Sequence, residues 1–160
     1  MMHGRRRTTA TLDAMEHEAL THTVIGAAMR VHGILGPGFL ESVYQHALAH
    51  ELRGLGLPFS CGRQLKVRYR GALVGEFAAD VIVDGTVLVE NKVARALNAA
   101  HEAQLLNYLA ATGVEIGLLL NFGADRLQVR RMRRAGQGLG AGEGKELERG
   151  RRSDERLMKI

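Results

Sequence analysis

Residues 77–92 read FAADVIVDGTVLVENK, and this stretch decides the fold. Two apolar runs, residues 81–83 and 87–89, flank the turn-forming pair Asp84-Gly85. This pattern predicts two strands joined in a hairpin. Charged residues border the two runs: Asp80 precedes the first run, and Glu90 and Lys92 follow the second. Charges in strands that otherwise look buried need partners or a metal ion, so the hairpin predicts a candidate site as well as a sheet.

The length of the hairpin turn decides whether the two acids can meet. A two-residue loop at Asp84-Gly85 would pair Asp80 with Val89 and turn Glu90 away from Asp80. A three-residue loop, with Gly85 in the left-handed conformation, shifts the register by one and sets Asp80 opposite or diagonal to Glu90. A metal site therefore requires an odd-length loop or a bulge, and the other register excludes it.

Glu90 and Lys92 are two residues apart, so they share one face of their strand. Two carboxylates on neighbouring strands can hold Mg²⁺, which prefers oxygen ligands. A lysine beside them can position a water or stabilise charge that develops on a phosphate. The alternative is an ordinary ion pair at the end of a strand, where charges are usually solvated.

Apolar spacing outside the hairpin predicts three helices and three further strands. Gly36-Pro37-Gly38 separates the first two helices, and Leu65, Val67 and Tyr69 alternate with basic residues in the first strand. The predicted elements are helices at 13–35 and 40–53, strands at 65–69, 73–83 and 86–92, a helix at 99–112, and strands at 115–122 and 126–132. The order α-α-β-β-β-α-β-β predicts an α/β (α+β) layered domain.

Two of the predicted helices place polar residues on one face. Glu41 and Tyr44 are three apart in the second helix, and Gln104 and Tyr108 are four apart in the third. A glutamine and a tyrosine aimed at one spot can hydrogen-bond a phosphate or a metal-bound water. The alternatives are that Glu41 only complements the helix dipole and that Gln104 and Tyr108 form a solvent-facing stripe.

Composition limits the class of protein. The 160 residues suit one domain, and 46% hydrophobic and 24% charged residues are ordinary for a globular chain. No apolar run is long enough for a membrane span, and no signal peptide is predicted. The single cysteine, Cys61, excludes an internal disulfide, is predicted to be a small buried hydrophobe, and favours a cytoplasmic location.

The formal net charge of +5 belongs mostly to the chain ends. Residues 1–10 carry +3 and residues 131–160 carry +4, whereas residues 11–130 carry −2. We therefore expect a flexible basic arm at residues 1–12, a domain at 13–132 and a flexible Gly/Arg-rich tail at 133–160.

Taken in order, these motifs resemble the GxxExxY protein family of the PD-(D/E)XK nuclease superfamily. The pattern is Gly38-x-x-Glu41-x-x-Tyr44, then Asp80, then Glu90-x-Lys92, then Gln104-x-x-x-Tyr108. Supporting context is Val31-His32 before Gly36-Pro37-Gly38, residues 101–109, and residues 119–123. One departure is Asn91, where the family usually has an apolar residue; this position faces away from the site.

The resemblance implies a restriction-endonuclease-like core, with a central mixed sheet flanked by helices, and a Mg²⁺-dependent phosphodiesterase site in which Mn²⁺ can substitute. Carried over position by position, Glu41, Asp80 and Glu90 are metal ligands. Lys92 is the catalytic lysine, with Gln104 and Tyr108 lining the site. The residues expected to grip a nucleic-acid backbone are Arg63, Lys66, Arg68 and Arg70.

The first functional hypothesis is a metal-dependent nuclease that acts on DNA. The second is a non-catalytic nucleic-acid-binding module on the same fold, and the third is a protein-interaction domain with a vestigial site. No membrane partner is expected. The oligomeric state stays open, with a homodimer as one alternative, because small nucleases of this type often pair subunits to span a duplex.

Overall fold

The computed structural model describes residues 9–135, so most of the predicted basic arm and tail lies outside the described residues. Its elements confirm the predicted order. In chain order they are α1 (Thr9–Leu35), α2 (Glu41–Gly54), β1 (Phe59–Tyr69), β2 (Ala72–Val83), β3 (Val87–Lys92), α3 (Ala99–Thr112), β4 (Ile116–Asn121) and β5 (Gln128–Arg133).

Strand β1 differs most from its predicted bounds, because it begins at Phe59 rather than at Leu65. Its first residues include serine, cysteine and glycine, which give no alternating apolar pattern. They become a strand because their backbone pairs with the apolar half of β2, from Phe59 opposite Val83 to Arg63 opposite Ala79. Backbone pairing with a strongly apolar neighbour therefore decides this segment.

The five strands form one mixed sheet in the order β1-β2-β3-β4-β5. Strands β3 and β4 are parallel, and the other neighbouring pairs are antiparallel. A parallel pair needs a long crossover connection, which α3 supplies between β3 and β4. The architecture is therefore α+β, as predicted.

Each face of the sheet carries its own core. On one face, Val81, Val83 and Val89 pack with buried residues of α1 and α2. On the other face, Ile82 and Leu88 pack with residues of α3 such as Leu105 and Leu109. Strand β3 is buried on both faces, because its two neighbours and the two helical layers enclose it.

Local contacts fix the beginnings of α2 and α3. The Tyr44 hydroxyl donates to the carbonyl of Gly36 and accepts from the backbone N–H of Phe39, which ties the turn before α2 to the helix itself. Asn98 and His101 form a reciprocal cap at the start of α3. Within residues 9–135, none of the helices has the length and apolar character needed to cross a bilayer.

Candidate active site

The hairpin between β2 and β3 has the three-residue loop that a shared site requires. Val83 pairs with Val87, Ile82 with Leu88 and Val81 with Val89. Both Asp84 and Gly85 adopt left-handed backbone conformations, with φ of 50° and 65°. This register sets Asp80 opposite Glu90 on the neighbouring strand. The register that pairs Asp80 with Val89, which would have separated the two acids, is therefore excluded.

Regular packing of β2 is interrupted at Asp80. Ala79 and Ile82 both belong to the core on the α3 side, although strict alternation would place them on opposite faces. Opposite Asp80, Gly62 of β1 adopts a φ of 65°, a conformation that favours glycine. The Asp80 carboxylate Oδ2 accepts a hydrogen bond of 2.8 Å from the backbone N–H of Asn91, which orients the acid toward β3.

Glu90 is the most deeply buried acid of the group, with 4% of its surface exposed. Its Oε1 lies 3.6 Å from the Lys92 Nζ, while its Oε2 is buried without a hydrogen-bond partner. Burial raises the pKa of Glu90 to about 8; the neighbouring Asp80 and Glu41 add to the rise, and Lys92 opposes it. One lysine therefore leaves this carboxylate only partly compensated.

Glu41 and Asp80 share this electrostatic environment. Burial raises the pKa of Asp80, with the Asn91 N–H and Lys92 opposing the rise. Glu41 is the first residue of α2 and is exposed as a whole, yet partial burial of its carboxyl raises its pKa, and the Asp80 charge adds to this. The three acids are thus close enough to influence one another, although they come from three different elements.

Gln104 and Tyr108 approach the acids from α3. The Gln104 Nε2 donates to the Tyr108 hydroxyl at 2.9 Å, and the Tyr108 ring stacks on Phe77 with centroids 4.1 Å apart. Burial raises the pKa of Tyr108, and the negative charge of Glu90 raises it further. These contacts contradict a purely solvent-facing stripe, because the pair is held against β2 and faces the acidic group.

The donor set suits a hard divalent cation. Among residues 9–135, no three His, Cys, Asp or Glu side chains are already arranged as a metal-binding group. The acids nevertheless offer oxygen atoms, which Mg²⁺ and Mn²⁺ accept. The unpartnered Glu90 Oε2 and the raised pKa values of all three acids mark a place where added positive charge is favourable. The residues therefore fit such an ion.

The four basic residues of the first strand do not form one surface. Arg63 pairs with Ala79 and so shares the face that packs toward α3, whereas Lys66 pairs with Glu76 on the opposite face. Arg68 hydrogen-bonds through Nη1 to the Gly71 carbonyl at the end of the hairpin. These side chains surround a two-stranded ribbon rather than line one side of a sheet.

The structure adds a neighbour of the site that the sequence did not indicate. Gln45 of α2 donates through Nε2 to the Asp80 carbonyl at 3.2 Å. Its position one turn after Glu41 is the only sequence signal that could have suggested it. Cys61 lies nearby, and its predicted burial is wrong: the thiol belongs to an exposed residue, because β1 is an edge strand at this point.

A buried asparagine fixes the segment that follows Lys92. Asn121 Oδ1 accepts from the backbone N–H groups of Ala94 and Gly123, and Nδ2 donates to the Ala94 carbonyl and to Gln128 Oε1. The same Gln128 oxygen accepts from the Leu97 N–H. We call this network the Asn121 clamp. It holds the connection from Lys92 to α3 in one path.

Most of the chain matches a known protein superfamily. Residues 18–134 match the PD-(D/E)XK nuclease superfamily. Among solved structures, the crystal structure of SSO0001 resembles the chain with a TM-score of 0.48 and 20% identity, covering 59% of this chain and 50% of that one. The chain thus spans about half the length of that protein. No curated protein matches. The five-stranded mixed sheet with flanking helices is consistent with a restriction-endonuclease-like fold, and the chain belongs to the PD-(D/E)XK nuclease superfamily.

Proposed function

We propose that the protein is a metal-dependent nuclease that hydrolyses phosphodiester bonds in DNA. The observation that carries the proposal is Glu90. It is a buried carboxylate with one unpartnered oxygen, a pKa raised to about 8, and Lys92 and Asp80 beside it. Leaving a buried charge uncompensated costs stability, and a bound cation would supply the missing compensation in a superfamily of nucleases.

Each residue of the group has a role in this proposal. Glu41, Asp80 and Glu90 would hold Mg²⁺ or Mn²⁺. Such an ion would polarise the phosphate and lower the pKa of a bound water. Lys92, held next to Glu90, places its ammonium where it can orient the attacking water or stabilise the charge that develops on the phosphate. Gln104 and Tyr108 present hydrogen-bonding groups from α3 toward the same place.

The experiment is a cleavage assay with matched variants of the β2–β3 hairpin. Asp80→Asn and Lys92→Ala are expected to reduce cleavage of plasmid DNA in Mg²⁺ or Mn²⁺ by at least about 100-fold, because each removes charge from the reacting group. Asp84→Asn makes the same change four residues along in the exposed loop and is expected to leave cleavage unchanged. Circular dichroism and thermal unfolding establish that each variant is folded.

One observation favours a second candidate, a nucleic-acid-binding module without catalysis. The described residues do not present three assembled ligands, so the acids would have to move closer together to bind an ion. This candidate predicts nucleic-acid binding that does not depend on Mg²⁺ and no cleavage with Mg²⁺ or Mn²⁺. Cleavage that Asp80→Asn abolishes would exclude it, and it would also exclude a protein-interaction domain with a vestigial site.

A further inference from the structure

Strands β1 and β2 continue far beyond the rest of the sheet. Strand β2 pairs with β3 only from Val81 to Val83, whereas its pairing with β1 runs on to Ala72 opposite Tyr69. We call residues 63–79 the arm; it is distinct from the basic N-terminal arm predicted at residues 1–12. It is a two-stranded ribbon whose base packs toward α3 through Leu65 and Phe77.

The arm extends from the end of the sheet that carries the candidate site. Strands β2 and β3 are antiparallel, so the beginning of β2 lies toward the end of β3, where Glu90 and Lys92 stand. Phe77 at the base of the arm also stacks on Tyr108 of the site. A substrate bound at the acids would therefore extend alongside the arm.

The tip of the arm is a tight turn with exposed apolar side chains beside it. Arg70 and Gly71 have φ of 49° and 79°, which is typical of a two-residue hairpin turn that follows the twist of its strands. Next to the turn, Tyr69, Leu73 and Val74 are exposed to 62%, 47% and 59%. A register shift between Val67 and Arg68 leaves Val74 as the extra residue of a bulge. Exposed apolar side chains at a projecting tip indicate a binding surface.

The net positive charge of the arm indicates what kind of partner it binds. The arm contains four basic residues and one acid. The basic residues are Arg63, Lys66, Arg68 and Arg70, and the acid is Glu76. Two copies of such an arm would repel each other, which disfavours pairing with a second copy of this chain. A polyanion is attracted instead, and its association releases counterions.

We propose that the arm lies in the major groove of duplex DNA, with its basic residues on the phosphates and the exposed apolar side chains of its tip against the base edges. This inference rests on the proposed function, because it takes nucleic acid as the substrate. The major groove of B-form DNA admits a two-stranded ribbon, whereas the deep, narrow major groove of duplex RNA does not. Basic groups on both faces of the ribbon can reach the phosphates on both sides of the groove.

The length of the arm sets the distance between tip contact and cleavage. Asp80 lies seven residues after Leu73 along β2, which corresponds to at most about 24 Å at ~3.4 Å per residue. Duplex DNA rises ~3.4 Å per base pair along its axis, so the tip contacts the duplex at most about seven base pairs from the cleaved bond. Shorter flanking duplex would leave the tip without a partner.

Fluorescence anisotropy of a labelled 30-base-pair duplex in EDTA tests the arm, because binding is then measured without cleavage. The double substitution Leu73→Ser and Val74→Ser is expected to weaken binding about tenfold at every salt concentration, since it removes apolar contact but no charge. Arg70→Gln is expected to lower the slope of log K against log salt by about 0.9, the value for one phosphate contact. The matched controls, Met29→Ser and Arg133→Gln, alter an exposed apolar residue of α1 and an exposed arginine of β5 and are expected to bind like the original protein.

The outcomes separate the arm from the nuclease. Loss of duplex binding in the tip variant supports the arm even if Mg²⁺ produces no cleavage, in which case only the nuclease proposal fails. Equal duplex affinity of the tip variant and the original protein would overturn the arm even if cleavage is observed. Equal affinity for duplex RNA and DNA, or a tip-dependent dimer in analytical ultracentrifugation, would also overturn it. A tip effect that disappears on duplexes with fewer than about seven flanking base pairs supports it.

Discussion

Asn91 and Asn121 lie on the neighbouring parallel strands β3 and β4, and both are completely buried. Every polar atom of the Asn121 side chain has a partner within the Asn121 clamp. The Asn91 side chain has none, since neither its Oδ1 nor its Nδ2 forms a hydrogen bond. An asparagine side chain thus forms all its hydrogen bonds on one strand and none on the next.

The difference distinguishes the segment after Lys92, where the buried polar groups are paired, from the candidate site on β3, where some are not. Unsatisfied buried polar atoms cost stability and are rare in folded proteins. Two of the residues that carry such atoms, Glu90 and Asn91, stand beside each other on β3, and others are Arg68, Thr86 and Arg134; the clamp that follows Lys92 is fully connected. The clamp fixes the segment that follows Lys92, whereas Glu90 and Asn91, just before Lys92, keep buried polar atoms without hydrogen-bond partners.

The largest expected effect comes from breaking the clamp. Asn121→Leu keeps the number and arrangement of side-chain heavy atoms but removes four hydrogen bonds, leaving backbone groups of Ala94 and Gly123 without partners. We expect the free energy of unfolding to fall by about 3 kcal/mol or more, measured by urea denaturation. Unchanged stability would mean that water replaces the amide, and the contrast between the two asparagines would lose its meaning.

A second way to disturb the clamp uses the close approach of two backbones. A Cβ built at Gly123 would lie 2.6 Å from the Ala94 nitrogen, so Gly123→Ala is expected to push the Ala94 segment away and destabilise the fold by about 2 kcal/mol. The same substitution at Gly33, where a Cβ would meet no atom within 4 Å, is the matched control and is expected to stabilise α1 slightly in the same denaturation experiment.

Most of the fold could be predicted from the sequence because local patterns and long-range pairing agree. The apolar runs around Asp84-Gly85 predict the hairpin, and Asn98 to Gly113 bound α3 with a cap at each end. The first half of β1 could not be predicted, because its residues carry no strand pattern and depend on β2. The positive φ of Gly62 likewise results from pairing opposite Asp80 rather than from any local signal.

The sequence could propose the members of the candidate site, but it could not predict their electrostatics. Motif spacing indicates Glu41, Asp80 and Glu90 together, and the three-residue loop provides the register that their meeting requires. The sequence could not show that one Glu90 oxygen lacks a partner, or that Asn91 is buried without hydrogen bonds. Both depend on how closely the two helical layers cover β3, which is a property of packing.

The pH dependence of stability distinguishes the strained strand from the clamp. The folded pKa of Glu90 is about 8, above the ordinary value of 4.5, so the folded protein holds this proton more tightly than the unfolded chain. In EDTA, its contribution to stability is therefore complete below pH 4.5 and is lost as the pH rises to about 8, on the order of a few kcal/mol. Urea denaturation between pH 4.5 and 8.5 measures the loss.

Glu90→Gln is the matched variant for this measurement. Glutamine has nearly the same shape but no charge, so we expect the variant to lose less stability than the original protein as the pH rises, and to be the more stable of the two at pH 8.5. Cleavage in Mg²⁺ is expected to disappear at the same time. Parallel pH curves for the two proteins would mean that Glu90 is compensated in solution, contrary to its unpartnered Oε2.

The smallest expected effect is the counterpart of the clamp substitution, Asn91→Leu. The side chain lies two residues after Val89, on the face of β3 that packs toward α1 and α2, and only its backbone N–H contacts Asp80. Replacing an unsatisfied amide with an apolar group of similar shape is expected to stabilise the protein by about 1 kcal/mol, because a desolvation penalty disappears. Cleavage should persist, since the Asp80 hydrogen bond comes from the backbone. A loss of stability comparable to that of Asn121→Leu would instead place an internal water on the Asn91 amide, and both asparagines would then be structural in the same sense.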